Sequence, residues 1–291
     1  MLASNGRLKI AIQRGGRLTE ESVALLRSCG LDFEFQKQGL YFPCRNFDLD
    51  ILSLRDDDIP EYVQDGVADL GIVGENIVRE KQARVHTLKS LGFGLCRLVI
   101  SVPQRSPIRS TRQLRGKRIA TTYPATLRKF LRSSSLRASL VELSGAVEIA
   151  PSLDVADAIC DIVSTGTTAR MNGLRPLATV LESQAVLVAH ERSLKSKTAK
   201  GLIDRLLIRM SGSLEARGKR YIMLNAPASS IPILKKIIPA LKSPTVVPLA
   251  KEGMVALHSV IAEHVFWDVM ERLKQAGASD IIVVPIETII S

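Results

Sequence analysis

Residues 49–76, LDILSLRDDDIPEYVQDGVADLGIVGEN, decide the fold class. Residues 49–54 are a short apolar run of strand length. Asp56, Asp57 and Asp58 follow it, where an Asp can cap a helix, and Pro60 is tolerated in a first turn because its missing N–H has no intrahelical partner there. Gly66 closes that helix, and residues 69–73 form another apolar run, ending at Gly74-Glu75-Asn76. Strand, short helix, strand is a βαβ unit, so this region predicts parallel sheet with helices on both faces.

The same alternation extends outward. Residues 8–12 read as a strand and residues 13–18 as a glycine-containing loop; Thr19 is a candidate cap for a helix to about Ser28, with Gly30 as terminator. After Pro103 the pattern restarts as a second, similar lobe. Residues 118–121 are a strand, Tyr123-Pro124 a turn, residues 125–131 a helix, and residues 147–150 and 159–163 further strands. Residues 177–188 contain a long apolar run placed to carry the chain back to the first lobe. Two lobes joined by crossing strands enclose a cleft, the usual ligand position in such sheets.

Residues 191–220 differ in character. Ala199, Leu202, Ile203, Leu206, Leu207, Met210 and Leu214 recur at helical spacing, which predicts an amphipathic linker helix. Beyond it, strands at 221–224, 245–249, 255–260 and 281–285 and helices at about 230–238 and 264–275 give a β-α-β-β-α-β order, the ferredoxin-like arrangement. The expected division is residues 1–97 with 188–216 as the first lobe and linker, 98–187 as the second lobe, and 217–291 as a third domain.

Composition limits the function classes. The chain has 291 residues, 46% of them hydrophobic, enough for two or three domains and too apolar for disorder. It has no 18-residue apolar run for a membrane helix and no apolar signal region in residues 1–7. Cys29, Cys44, Cys96 and Cys160 are scattered without metal spacing, as reduced packing residues of a cytoplasmic protein would be. The net charge of +11 is concentrated: residues 97–141 hold eleven Arg or Lys and no acid. Such a block suits a nucleic acid, an acidic membrane surface or a multiply phosphorylated substrate, and it equally suits a solvated face. With aromatic residues at only 4% and no aromatic ladder among the basic ones, single-stranded nucleic acid is the weakest of these partners.

Chemistry is concentrated in residues 161–168, DIVSTGTT, followed by ARMNG. An apolar strand there ends in hydroxyl residues around a glycine. Gly166 permits close backbone approach, and Ser164, Thr165, Thr167 and Thr168 add donors, a composition suited to phosphate and also to an ordinary loop. Asp161 can hold ribose hydroxyls or an associated metal ion. No Lys follows as in a Walker loop. Gln13-Arg14-Gly15-Gly16-Arg17 is a second strand-end loop, in which Gly16 permits close approach and Arg17 can bind phosphate or stack on a base. Arg55 and Glu75 occupy other strand ends. His86, His190, His258 and His264 form no metal pair, and no nucleophile-elbow sequence is present, so the histidines read as structural or surface residues.

Seven ordered blocks resemble one family: IAIQRGGRL (10–18), LRDDDIP (54–60), DLGIVGEN (69–76), DIVSTGTTARMNGL (161–174), YIMLNAP (221–227), SPTVVPL (243–249) and GASDIIVVPI (277–286). Together they are similar to ATP phosphoribosyltransferase in its long form, the last three blocks to that family's regulatory domain. The resemblance implies a two-lobed core like that of periplasmic binding proteins plus a ferredoxin-like regulatory domain. It implies transfer of a phosphoribosyl group from 5-phosphoribosyl 1-pyrophosphate to N1 of ATP with Mg²⁺, feedback inhibition by histidine, and a homo-oligomer, a hexamer or a dimer. Asp161, Ser164, Thr165, Gly166, Thr167 and Thr168 would hold the sugar substrate, with Mg²⁺ held mostly through substrate and by Asp161. Gln13, Gly16, Arg17, Arg55 and Glu75 would line the nucleotide cleft, and Asn225, Leu241, Thr245 and Ala278 would hold histidine. Ala169 and Arg170 depart from the usual residues after the hydroxyl loop, and Asn225 stands where some members carry an acid. A solute-binding module of the same fold and a basic nucleic-acid-binding protein are the alternative classes; the absent signal region counts against the first and the absence of a recognition-helix pattern against the second.

Overall fold

The computed structural model describes residues 6–36, 38–163, 172–238 and 243–290. The first sheet contains β1 (Leu8–Gln13), β2 (Tyr41–Pro43), β3 (Leu49–Leu54), β4 (Leu70–Gly74), β5 (His86–Ser90) and β11 (Ala185–Ala189), in the order β2-β3-β1-β4-β11-β5. β1 is central and parallel to both β3 and β4. Ile10, Ala11 and Ile12 are fully buried on consecutive positions, as befits a strand covered on both faces. The helices here are α1 (Arg17–Ser28), α2 (Ile59–Gln64) and α3 (Glu75–Lys81).

The second sheet contains β6 (Cys96–Pro103), β7 (Arg118–Thr121), β8 (Ser139–Glu142), β9 (Ala158–Val163) and β10 (Leu174–Ser183), in the order β10-β6-β9-β7-β8, with α4 (Pro124–Ser133). Both sheets are mixed, where the sequence predicts parallel ones. β11 enters the first sheet antiparallel to β4 because it arrives directly from β10 of the second sheet. The apolar stretch 177–188 is therefore two strands, broken at Gln184. There the chain crosses between sheets, and the other crossing lies beside it: Leu91 N donates to Ala185 O at 3.0 Å and Ala185 N to Phe93 O at 2.8 Å. Two mixed sheets joined by paired crossings are the periplasmic-binding-protein-like arrangement that the resemblance implies.

After α5 (Glu191–Lys195) and α6 (Lys197–Ala216) come β12 (Lys219–Pro227), α7 (Ile231–Ile237), β13 (Thr245–Pro248), β14 (Met254–Ala262), α8 (Glu263–Gln275) and β15 (Ser279–Pro285). The antiparallel order β13-β14-β12-β15 is ferredoxin-like. Ile222, Leu224, Leu257 and Ile261 pack with Leu234, Phe266 and Leu273 in one core. Alternate residues Tyr221, Met223 and Asn225 lie on the opposite face. The chain forms two compact units: residues 1–27 with 31–204 carry the first two sheets, and residues 28–30 with 205–291 carry the third.

Several local expectations change. Thr19 does not cap α1, which starts two residues earlier after Gly15 and Gly16 at φ +80° and +98°; its hydroxyl donates instead to Gln13 O at 2.7 Å. Asp56–Asp58 form a 3₁₀ turn in which Asp58 N donates to Arg55 O at 3.1 Å, and Asp58 precedes α2 with no side-chain cap bond. Residues 147–149 are a 3₁₀ turn rather than a strand. Ala146 bends the chain at φ 50°, and Val147 and Ala150 are buried at a three-residue spacing instead of alternating.

Candidate active site

The parallel strands of the first sheet bring Gln13, Arg55 and Glu75 to one edge. Gln13 is in register with Leu54, and Arg14 N donates to Leu54 O at 2.6 Å, so the ends of β1 and β3 are tied together. Gly16 follows with exposed backbone, and Arg17 opens α1, its side chain lying outside the described residues. Arg55 is exposed and Asp56 half-buried. Glu75 starts α3, and its carboxylate is held by Arg79 Nε at 2.9 Å.

It is Asn76, buried on the next position, that meets the second lobe. Its Nδ2 donates to the Tyr123 hydroxyl at 3.3 Å, and Ser183 Oγ donates to its Oδ1 at 2.9 Å. One turn further, the Glu80 carboxylate accepts Ala125 N at 2.8 Å and Thr126 N at 2.9 Å. These are the first free N–H groups of α4, so an acid of one lobe caps a helix of the other, where the helix dipole favours negative charge. Asn76, Glu80, Tyr123 and Ser183 were not among the sequence candidates. The available signal was positional: Tyr123 follows β7 as Glu75 follows β4, each before a helix at the end of a parallel strand.

Asp161 lies on β9, in register with Val99 of β6. Burial pushes its carboxyl pKa above the ordinary value, and the Glu148 carboxylate adds to the rise. No Lys or Arg pairs with it among the described residues. Burial also pushes the Tyr123 phenol up to about 12; the Asn76 hydrogen bond opposes this, and the Asp161, Cys96 and Asp56 charges add to it. Tyr123 thus stands within electrostatic reach of an acid from each lobe, Asp56 and Asp161. The remaining sugar-substrate candidates, Ser164, Thr165, Gly166, Thr167 and Thr168, lie outside the described residues, as do Ala169 and Arg170.

The basic block is partly neutralised by acids beyond it in sequence: Lys117 and Arg118 pair with Asp157 at 3.5 and 3.7 Å, and Arg128 with Glu142 at 2.5 Å. The four cysteines are unpaired, and burial pushes Cys29 up to about 11. His190 Nδ1 accepts Arg192 N at 3.2 Å at the start of α5, and His258 bonds the Tyr221 hydroxyl at 3.0 Å, which are structural duties.

Among the third-sheet candidates, Asn225 and Thr245 are on the face away from the helices. They sit two strands apart, Asn225 opposite Ala256 and Thr245 opposite His258. At about 4.8 Å per strand they are about 10 Å apart across the sheet, too far for one side-chain contact. Ala278 is buried in the core, and Leu241 lies outside the described residues. The Asn225 side chain donates to Asp280 Oδ2 at 3.1 Å, so an acid stands beside the position where the sequence lacks one.

Comparison with known proteins decides the family. Residues 55–212 match the family described as ATP phosphoribosyltransferase, and residues 216–288 match the HisG C-terminal domain. The chain belongs to the ATP phosphoribosyltransferase family. It is 46% identical over 283 residues to the ATP phosphoribosyltransferase of Cytophaga hutchinsonii, covering 97% of this chain and 98% of the relative. With the ATP phosphoribosyltransferase of Parabacteroides distasonis it shares 43% identity over 97% of this chain and 99% of that one. Among solved structures, a chain of the ATP phosphoribosyl transferase (HisG:HisZ) complex from Thermotoga maritima superposes with a TM-score of 0.59 at 28% identity, over 70% of this chain and 98% of that chain. The C-terminal domain match makes this the long form of the enzyme, which acts at the first step of histidine biosynthesis. Among the described residues no helix is long and apolar enough to cross a membrane.

Proposed function

We propose that this ATP phosphoribosyltransferase joins N1 of ATP to C1′ of 5-phosphoribosyl 1-pyrophosphate, with release of pyrophosphate, in the cleft where Tyr123 lies within electrostatic reach of Asp56 and Asp161. The observation that carries this reading is the half-buried carboxylate of Asp161, without a cationic partner among the described residues, just before the hydroxyl-rich run in sequence. Adenine N1 already presents a lone pair, so attack requires no protein nucleophile; positioning and charge stabilisation supply the rate. Asp161 orients the ribose and faces the positive charge that builds at C1′. Gln13, Gly16, Arg17, Arg55 and Glu75 belong on the nucleotide side, and Ser164 to Thr168 on the phosphate side.

A divalent cation fits this donor set. Among the described residues Asp161 has no cationic partner and no group of three metal-ligating side chains occurs, so Mg²⁺ would be held by Asp161 and otherwise by substrate phosphates and water. When bound it neutralises charge on the leaving pyrophosphate. Folded protein mixed with ATP, the pyrophosphorylated ribose and Mg²⁺ should form an N1-ribosylated adenine nucleotide and pyrophosphate, and none when any one component is omitted. Nucleotide binding without product, under enzymatic removal of pyrophosphate, would favour a binding module instead.

Histidine inhibition is assigned to the domain spanning residues 217–291, with residues 1–97 and 188–216 and residues 98–187 as the two catalytic lobes. A free amino acid needs a partner for its ammonium and donors for its carboxylate. Asp280 beside Asn225 supports the first role, and the Thr245 hydroxyl and backbone near Ala278 support the second. The separation of Asn225 from Thr245 favours a site completed by another copy of the chain. Exposed Val247, Ile282 and Val284 on the third domain support such a homo-oligomer. Asp280→Asn and Thr245→Ala should each raise the histidine concentration for half-inhibition about tenfold, the effect of about 1.5 kcal/mol lost from a hydrogen bond to a charged group. Substrate KM and kcat without histidine should stay at wild-type values. Unchanged half-inhibition in both variants would remove these residues from the site.

A further inference from the structure

The hydrogen bonds between the lobes leave one donor unspent. Tyr123 is half-buried, its ring packed against the cores of both lobes, and its hydroxyl accepts Asn76 Nδ2. Among the described residues no acceptor takes the phenol proton. Polar groups away from water normally find partners. With its pKa at about 12, the phenol keeps that proton at neutral pH and serves as a donor, not as a base.

The direction of the proton is set by residues behind the phenol. Asn76 is 7% exposed and Ser183, the last residue of β10, is 5% exposed. Ser183 Oγ accepts Asn76 N and donates to Asn76 Oδ1, each at 2.9 Å. A flipped amide would set two N–H donors against Oγ and strand the serine proton. Ser183 therefore keeps Nδ2 towards Tyr123, and the phenol, accepting there, turns its O–H away from Asn76. Gly74 is a separate sign of this arrangement. A Cβ on it would collide with Asn76 Oδ1, although its φ of −65° suits any residue. The glycine serves the close approach of the amide and not a turn.

The surroundings of the proton select its acceptor. The carboxylates of Asp161 and Asp56 both act on Tyr123, so an anionic phosphate oxygen is disfavoured there and a neutral acceptor favoured. A ring nitrogen of adenine accepts but offers Asp161 no proton. A sugar hydroxyl accepts from the phenol and donates to Asp161 at once.

We propose that Ser183, acting through Asn76, fixes the Tyr123 hydroxyl as donor to a ribose hydroxyl of the sugar substrate, whose own proton goes to Asp161. Ser183 is then a positioning residue, and Tyr123 selects ribose over a deoxy sugar. The inference rests on the assignment of Asp161 to the ribose.

The test compares kcat/KM of the full-length enzyme for 5-phosphoribosyl 1-pyrophosphate and for two analogues in which fluorine replaces the 2- or the 3-hydroxyl. Tyr123→Phe, Ser183→Ala and Gly74→Ala should each lose about tenfold with the ribose, the scale of one hydrogen bond, and almost nothing with one of the analogues. A merely structural role would lower all three substrates alike. Ser183→Ala added to Tyr123→Phe should bring no further loss, because the serine acts only through the phenol. Equal losses on all three substrates, wild-type kinetics in Tyr123→Phe, or additive losses in the double variant would each overturn the proposal. Gly74→Ala carries the same comparison if Ser183→Ala does not fold. Asp161→Asn separates this inference from the reading beneath it. Wild-type kinetics there would remove both, whereas an impaired Asp161→Asn beside equal losses in Tyr123→Phe would remove this inference alone.

Discussion

Asp161→Asn is expected to lower kcat/KM for the sugar substrate by about 10²–10³, the loss typical when one group aimed at transition-state charge is removed, while raising the melting temperature of the substrate-free protein at neutral pH. Both effects come from one fact: a carboxylate is held half-buried, and no cation among the described residues pairs with it. The folded-state pKa is raised, so the protein's preference for neutral Asp161 is fully expressed below the ordinary value of 3.8 and is lost as pH rises through the raised value. Above that window the wild type bears a half-buried charge that Asn does not. The stability advantage of the variant should therefore be small near pH 3, grow as pH rises, and level off towards neutrality. Thermal melts at several pH values, together with steady-state kinetics, check both halves. Wild-type kinetics, or a variant less stable at pH 7, would remove Asp161 from its assigned role.

That trade of stability for function explains what the sequence could show. Residues 49–54 are a strand with the predicted bounds, because an apolar run between polar residues leaves no other buried option. The β-α-β-β-α-β order of the third sheet was equally legible, its strands alternating buried and half-buried positions from Met254 to Ala262. The failures lie where local pattern and tertiary context separate. Gln184, the last of the polar residues Glu182-Ser183-Gln184 within an otherwise mostly apolar stretch, separates β10 from β11, and its contacts with Glu75 N and Gly92 N, at 2.9 and 3.1 Å, join it to positions far off in sequence. The cleft residues divide in the same way. Asp161 was visible because it heads a hydroxyl-rich run. Asn76 and Tyr123 were not, because their contact joins positions 47 residues apart at the starts of two different helices, α3 and α4. Glu80 looked like one more charge on a helix whose charged residues alternate in sign.

Glu80→Ala should have the other large effect, although its carboxylate is not assigned to substrate. The carboxylate is the acceptor for both Ala125 N and Thr126 N, so its removal strips two charge-assisted hydrogen bonds from a contact between lobes. At about 1.5–3 kcal/mol for each such bond, the two together hold the contact by more than about a hundredfold before water replaces part of them. Catalysis across two lobes depends on their alignment, and small displacements of bound groups are costly in rate. The expected result is a kcat/KM lower by about 10–10² with either substrate varied, because the whole frame shifts rather than one subsite. Glu80→Gln should recover part of the loss: its amide oxygen accepts one of the two N–H groups, whereas its NH₂ cannot accept the other. Amide exchange of Ala125 and Thr126 should quicken in both variants, more in Ala than in Gln. Wild-type kinetics in Glu80→Ala, with exchange accelerated as expected, would mean that this contact holds the helix without setting the alignment that catalysis requires.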